Sequence, residues 1–276
     1  SISYKVVSVD ADGHETEITD TTAKANAGSY KIKVIYKKGD QTYDVCEKTF
    51  KIEPKEVRIV LDTGAKIEKE YDGTKNLPDN AADKLELTGK VGNDDVDIET
   101  GNLVFESKDV NASVDSETKL LVIGDVNIVA VTGTSLLSGD DADNYTASIT
   151  GLTGKITKRT IVVTPKSSNE VNLTYGGDVA KKLASEYTTN IDALPTTCVK
   201  PTIEGSMKLT DTTSGADVTV YNAGTYNVAL GDLSLTGASA GNYQLELASG
   251  THTWTIGKKT IKFLLTCERE ADYGVY

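Results

Sequence analysis

Three stretches of this chain are versions of one another: Lys51-Ile52-Glu53-Pro54-Lys55-Glu56-Val57, Lys155-Ile156-Thr157-Lys158-Arg159-Thr160-Ile161 and Thr255-Ile256-Gly257-Lys258-Lys259-Thr260-Ile261. Their isoleucines, Ile52, Ile156 and Ile256, lie 104 and 100 residues apart. Other markers keep the same step. Tyr71-Asp72-Gly73 returns as Tyr175-Gly176-Gly177 after 104 residues and as Tyr273-Gly274 after 98 more. Asp143-Asn144-Tyr145 returns as Gly241-Asn242-Tyr243 after 98, and Asn26-Ala27-Gly28-Ser29-Tyr30 as Asn222-Ala223-Gly224-Thr225-Tyr226 after 196, two periods. A repeat of this length is too long for solenoid units of about 20–50 residues and suits one immunoglobulin-type sandwich per copy.

The period divides the 276 residues into two whole modules, 54–157 and 158–257. Residues 1–53 read as the closing part of a preceding module and 258–276 as the opening strand of a following one, so the chain begins and ends out of phase with its own repeat. Within modules the apolar pattern has the two-residue period of strands. Residues 30–36 alternate before a Lys38-Gly39-Asp40 turn, and 243–247 alternate again. Residues 120–123 and 126–131 are apolar runs, and 218–221 and 225–230 flank the turn signal Asn222-Ala223-Gly224. Residues 179–187 are open to a short helix. The expected fold class is therefore all-β: tandem Ig-like antiparallel β-sandwich modules arranged end to end. The junctions carry no Gly or Ser run, which predicts a semi-rigid rod.

Composition narrows the partners. The net charge is −12, which disfavours nucleic acid and anionic membrane surfaces. No apolar run reaches the ~18 residues of a membrane span, so no direct membrane insertion is expected. Residues 54–157 hold 20 acidic against 10 basic side chains, and 158–257 hold 9 against 7, so the acidity belongs to the first module. No two of Cys46, Cys198 and Cys267 share a repeat, which argues against a disulfide framework.

Candidate chemistry is sparse. Gly237-Ala238-Ser239-Ala240-Gly241 matches the G-x-S-x-G pattern, but a nucleophile elbow needs a helix after the serine, and a strand pattern follows here. His14 and His252 belong to no triad or metal-ligand grouping legible in the sequence. Asp94, Asp95 and Asp97 lie in one acidic stretch and Asp140, Asp141 and Asp143 in another; these six are the candidates for calcium, which takes six to eight oxygens. Solvated turns are the plainer reading, because the second module has Ala238, Ser239 and Gly241 in place of the last three aspartates. Trp254 and Phe50 each precede a junction isoleucine by two residues. They read as packing residues, with a sugar-stacking platform as the alternative. No cofactor and no catalysis are expected.

Glu70-Tyr71-Asp72-Gly73-Thr74, the run Leu137-Ser138-Gly139-Asp140-Asp141-Ala142-Asp143-Asn144-Tyr145, and Gly154-Lys155-Ile156-Thr157-Lys158-Arg159-Thr160 together resemble the bacterial MBG/YDG repeat family. The 158–257 module is similar, with Tyr175-Gly176-Gly177 in place of the Tyr-Asp-Gly motif. The resemblance implies a sandwich fold in a tandem array of a large bacterial cell-surface or secreted protein, such as an adhesin. It implies an extracellular location and a non-catalytic stalk, whose partners are the neighbouring modules of the same chain. The alternative is an adhesive module that binds a host protein or glycan through loops of the acidic 54–157 module.

Overall fold

The computed structural model describes residues 1–20 and 25–266. The chain is built mostly of strands and divides into two compact units, Ser1–Thr157 and Lys158–Tyr276.

The first unit opens with four strands, β1 (Ile2–Val9), β2 (Glu15–Ile18), β3 (Gly28–Lys38) and β4 (Gln41–Ile52), in the order β2-β1-β3-β4. Every pair is antiparallel. Alternation sorts the side chains into two faces. Ile2, Tyr4 and Val6 lie opposite Tyr36, Val34 and Ile32, and Tyr30 lies opposite Phe50, so this face is apolar. The reverse face carries buried Val7 beside ion pairs, Lys31 with Glu15 at 2.9 Å and Lys5 with Glu17 at 3.8 Å.

The same unit continues with β5 (Lys55–Leu61), β6 (Glu68–Glu70), β7 (Leu85–Thr88), β8 (Asp97–Ile98) and β9 (Leu103–Phe105). After these come β10 (Ala112–Val114), β11 (Leu121–Ile123), β12 (Val126–Ala130), β13 (Leu137–Ser138), β14 (Tyr145–Ser148) and β15 (Thr153–Thr157). Strand β5 sits between β14 and β7, and a second sheet runs β6-β15-β12-β9. Val57 and Ile59 from β5, Leu103 and Phe105 from β9, Ile128 from β12 and Ile156 from β15 are all buried, together with Ile67 and Tyr71.

In the second unit, β16 (Arg159–Pro165) is followed by α1 (Ser168–Val171), β17 (Leu173–Thr174), α2 (Val179–Leu183), β18 (Tyr187–Thr189) and β19 (Thr202–Glu204). Strands β20 (Lys208–Asp211), β21 (Gly224–Ala229), β22 (Ser234–Thr236), β23 (Tyr243–Leu247) and β24 (Thr253–Gly257) complete it. Strand β16 lies between β18 and β23, and the other large sheet runs β17-β24-β21-β20. One core joins Val163 of β16 to Leu209, Val228, Trp254 and Ile256, with Val171, Val179 and Leu183 from the helical turns.

Apart from the β10–β11 ribbon, which the second module lacks, the strands of the two modules correspond. Ile156 pairs with Lys69, and Ile256 pairs with Leu173, both in parallel register. Ile128 faces Phe105, and Val228 faces Leu209; Val126 faces Gly154, and Tyr226 faces Trp254. Phe105 and Gly154 thus occupy the places of Leu209 and Trp254. A Cβ on Gly154 would lie 2.8 Å from the Phe105 ring, so the large side chain comes from β9 in one module and from β24 in the other. That is a compensated exchange of volume in a packed interior.

The strands are not all antiparallel, as expected from the sequence. β5 with β14, β6 with β15, β16 with β23 and β17 with β24 pair in parallel. Parallel pairing needs a long connection rather than a hairpin, and side-chain alternation carries no information about strand direction. Residues 218–221 form no strand, and the 120–123 run contributes to an exposed ribbon of β10 and β11 rather than to a core. The helix expected over 179–187 covers Val179–Leu183, its first turn capped by Asp178, whose carboxylate accepts from Lys181 N–H at 3.0 Å. Residues 258–266 carry no strand, and the rest of the expected opening strand, with Cys267 and Tyr273-Gly274, lies outside the described residues. Cys46 is an exposed free thiol and Cys198 a buried one.

Candidate functional site

The Tyr-Asp-Gly-Thr loop begins where β6 ends. Tyr71 N–H donates to the Thr157 carbonyl at 2.9 Å and ties the loop to the end of β15. Gly73 takes the left-handed conformation (φ 78°) that lets the chain turn. The Asp72 carboxylate accepts from Thr74 N–H and from the Thr74 hydroxyl, both at 2.9 Å, closing an Asx-type turn.

Beneath this loop lies Lys69, whose side chain is only 6% exposed. Its ammonium reaches Asp72 Oδ1 at 2.9 Å, the Thr74 carbonyl at 2.9 Å, the Thr74 hydroxyl at 3.1 Å and the Asn76 carbonyl at 2.7 Å. Phe105 covers it, with the ring centroid 5.6 Å from Nζ. Burial works against ionisation of Asp72, but the Lys69 ammonium and the two Thr74 donors outweigh it and hold the carboxyl below its ordinary value. The site is thus an internal cation that organises a loop. In the second module Lys69 is replaced by Leu173 and Asp72 by Gly176, so both members of the pair are exchanged together. Tyr71 is buried, whereas Tyr175 is half exposed, its N–H donating to the Gly257 carbonyl at 2.8 Å. Lys69 was not singled out in the sequence. The signal that could have found it is the step from Lys69 to Leu173 at an otherwise matching position.

The two acidic stretches do come together. Strands β8 and β13 pair through Ile98 with Leu137 and Asp97 with Ser138. Asp95 and Asp141 then cap each other's turns. Asp141 Oδ2 accepts from Asp95 N–H at 3.0 Å, and Asp95 Oδ2 accepts from Asp140 N–H at 3.1 Å. The Tyr145 hydroxyl donates to the Asp94 carboxylate and accepts from Val91 N–H. Asp97, Asp140 and Asp143 are exposed. Among the described residues no three carboxylate, histidine or cysteine side chains converge as metal ligands would. The carboxylates of Asp94, Asp95 and Asp141 are instead engaged with the protein's own donors. Gly139 marks how closely the two turns approach, because a Cβ there would meet the Asp95 carbonyl at 2.3 Å.

The remaining candidates disperse. The Ser239 hydroxyl donates to the Val199 carbonyl at 2.8 Å, and the short turn Ala240–Asn242 leads straight into β23. His14 pairs with Asp10 at the surface, and His252 contacts the Ala248 carbonyl at 3.0 Å. Trp254 is wholly buried, with its indole N–H donating to the Lys166 carbonyl at 2.8 Å, so it offers no face to a sugar. Phe50 is 40% exposed and stacks on Tyr30, with centroids 5.3 Å apart. Past the Tyr-Asp-Gly-Thr loop, Asn76, Leu77, Pro78, Ala81, Thr100 and Leu103 line an open cleft of about 410 Å³.

Residues 53–154 match the YDG domain family. The match covers the module with the Lys69–Asp72 loop and ends before the second module. YDG is a family distinct from the MBG-type Ig-like surface repeats with which the sequence was grouped. No curated protein and no solved structure matches the chain.

Proposed function

We propose that this chain, with a YDG domain as its first whole module, is a non-catalytic repeat segment that serves as a semi-rigid spacer in a large bacterial cell-surface or secreted protein. Each module is read as an Ig-like sandwich. The observation that carries the proposal is the shared register of the two modules. Each returns its last strand beside the short strand that precedes the Tyr-Asp-Gly or Tyr-Gly-Gly turn. A single residue, Lys158, separates β15 from β16. So short a connection leaves little slack for independent motion. The chemistry of the described residues supports the same reading, since Lys69, Asp72, Asp95 and Asp141 are all engaged in holding loops.

Small-angle scattering tests the spacer. Strands of about eight to ten residues span roughly 30 Å, so modules placed end to end give a longest dimension near ~100 Å. A particle no longer than a single globule of this mass would refute the arrangement.

A second reading, an adhesive module for a host protein or glycan, is favoured by one feature of 54–157. The β10–β11 ribbon exposes Val114, Leu120, Leu121 and Val122. Exposed apolar groups gathered on one projecting element mark interaction surfaces. Retention of the fragment on a glycan or matrix-protein array, abolished by Leu121→Asp, would replace the spacer reading with this one.

A further inference from the structure

The junction between the N-terminal sheet and the 54–157 module runs from Ile52, the last residue of β4, to Lys55, the first of β5. Each end of it is paired to a neighbouring strand. Ile52 lies opposite Gly28 at the start of β3, and Lys55 lies beside Tyr145 at the start of β14. Directly ahead of those two strands stand Asn26-Ala27 and Asn144, and these residues meet. Asn144 Oδ1 accepts from Ala27 N–H at 2.7 Å, and Asn144 Nδ2 donates to Asn26 Oδ1 at 3.2 Å. A hydrogen-bonded bridge thus runs alongside the covalent one.

Each side of this bridge is held by its own surroundings. The Tyr30 hydroxyl donates to the Asn26 carbonyl at 2.6 Å and fixes the turn that leads into β3. Asn144 ends the short turn Ala142–Asn144, with its N–H donating to the Asp141 carbonyl at 3.0 Å. Asp141 Oδ1 also accepts from Asn144 Nδ2, at 3.4 Å. An ionised carboxylate only accepts and a backbone N–H only donates, so Asp141 and Ala27 dictate which way the Asn144 amide faces. An aspartate here could take the Ala27 N–H but would have nothing to give Asn26. The parts are features of the repeat. The Tyr226 hydroxyl donates to the Asn222 carbonyl at 3.0 Å, and Asn242 stands directly ahead of Tyr243, which lies beside Arg159 at the start of β16.

We infer that the Asp141–Asn144 turn is the docking surface by which the 54–157 module holds the 1–52 sheet, and that the Asn26-Ala27 turn is its partner. Asn144 is a latch on the joint. With it closed, the two strand pairs that flank Ile52 and Lys55 are tied to each other and the joint keeps one angle. With it open, the link Glu53-Pro54 is left as a hinge. Loss of two hydrogen bonds lowers the ratio of closed to open joint by roughly 5- to 100-fold. The inference deepens the spacer reading and rests on it for its purpose, since a spacer needs joints that hold their angle.

Double electron–electron resonance on the whole chain measures the joint. One spin label sits on Cys46, exposed on β4, and one on Glu86→Cys, exposed on β7, with Cys198→Ala and Cys267→Ser removing the other thiols. The parent should give one narrow distance distribution. Asn144→Ala should broaden it, and Asn26→Ala should broaden it less, because Ala27 N–H keeps its acceptor. The double variant should match Asn144→Ala, since both changes act on one contact. A second pair of labels, on Glu86→Cys and Ala130→Cys with Cys46→Ser, lies wholly inside 54–157 and should stay unchanged throughout. If Asn144→Ala alters that inner distance, Asn26→Ala decides, because it lies outside the module. Distributions as narrow in both single variants as in the parent would overturn the latch, and so would a parent distribution that is already broad. The spacer reading fails by a different result, capture on a glycan or matrix-protein array, which leaves the width at the joint as it was.

Discussion

Lys69 is the side chain whose surroundings say most about the first module. A lysine this deeply covered must keep its charge compensated, and it does so with one carboxylate, two backbone carbonyls and a hydroxyl. Asp72→Asn should therefore destabilise the 54–157 module by about 1–2 kcal/mol. The figure is held down because Asp72 is 35% exposed, and the three remaining acceptors still serve the ammonium. Lys69→Leu combined with Asp72→Gly, the pair the second module uses, should cost less than the sum of the two single changes, because neither charge is then stranded. Urea denaturation of the four chains measures this, and strict additivity would show that the two residues do not act as a unit.

At the scale of elements, the junction of α2 with β18 is held by a carboxylate. Glu186 pairs with Lys166 at the end of β16 and with Lys182 of α2, both at 2.9 Å. Its hydrogen bonds to Lys166 and then Lys182 lower its pKa from 4.5 to about 2. A depressed folded-state pKa means that the contribution to stability is complete above pH ~4.5 and is lost as pH falls toward ~2. Trp254, the chain's only tryptophan, bonds the Lys166 carbonyl and reports on this corner. Thermal melts followed by its fluorescence should lose part of their decline between pH 4.5 and 2 in Glu186→Gln; a decline as steep as in the parent would mean that the pairing is not felt by the fold. The elements differ in how legible they were. Alternation at 30–36 and 243–247 forecast β3 and β23, because a strand sends successive side chains to opposite faces. Ser167 and Glu170 form a capping box for α1, a signal present in the sequence yet too short to outweigh its strand-rich surroundings. Of the acidic stretches, Asp140 and Asp141 lie in a turn, whereas Asp97 belongs to β8. Their reciprocal capping through Asp95 and Asp141 was not legible, since it depends on contacts 45 and 46 residues apart in the chain. The Lys69 site has the same cause: its covering ring, Phe105, belongs to another strand.

At the scale of the whole molecule, the account rests on each module of about a hundred residues closing a core of its own. The exchange of Phe105 and Gly154 for Leu209 and Trp254 supports this, because the volume lost on one strand is restored within the same module. The chain contains its own reporter, since its single tryptophan lies in the second core and Phe105 in the first. The measurement is urea unfolding of the intact chain and of Phe105→Leu, followed together by far-ultraviolet circular dichroism and by Trp254 fluorescence. The substitution opens a space against Gly154 and should cost the first module about 1–2 kcal/mol. That should bring one phase of the dichroism to a lower midpoint, by roughly 1 M urea for a slope of 1–2 kcal/mol/M, while the fluorescence midpoint stays where it was. If the fluorescence midpoint moves with the dichroism, the two cores unfold as one, and the account of independent modules is wrong.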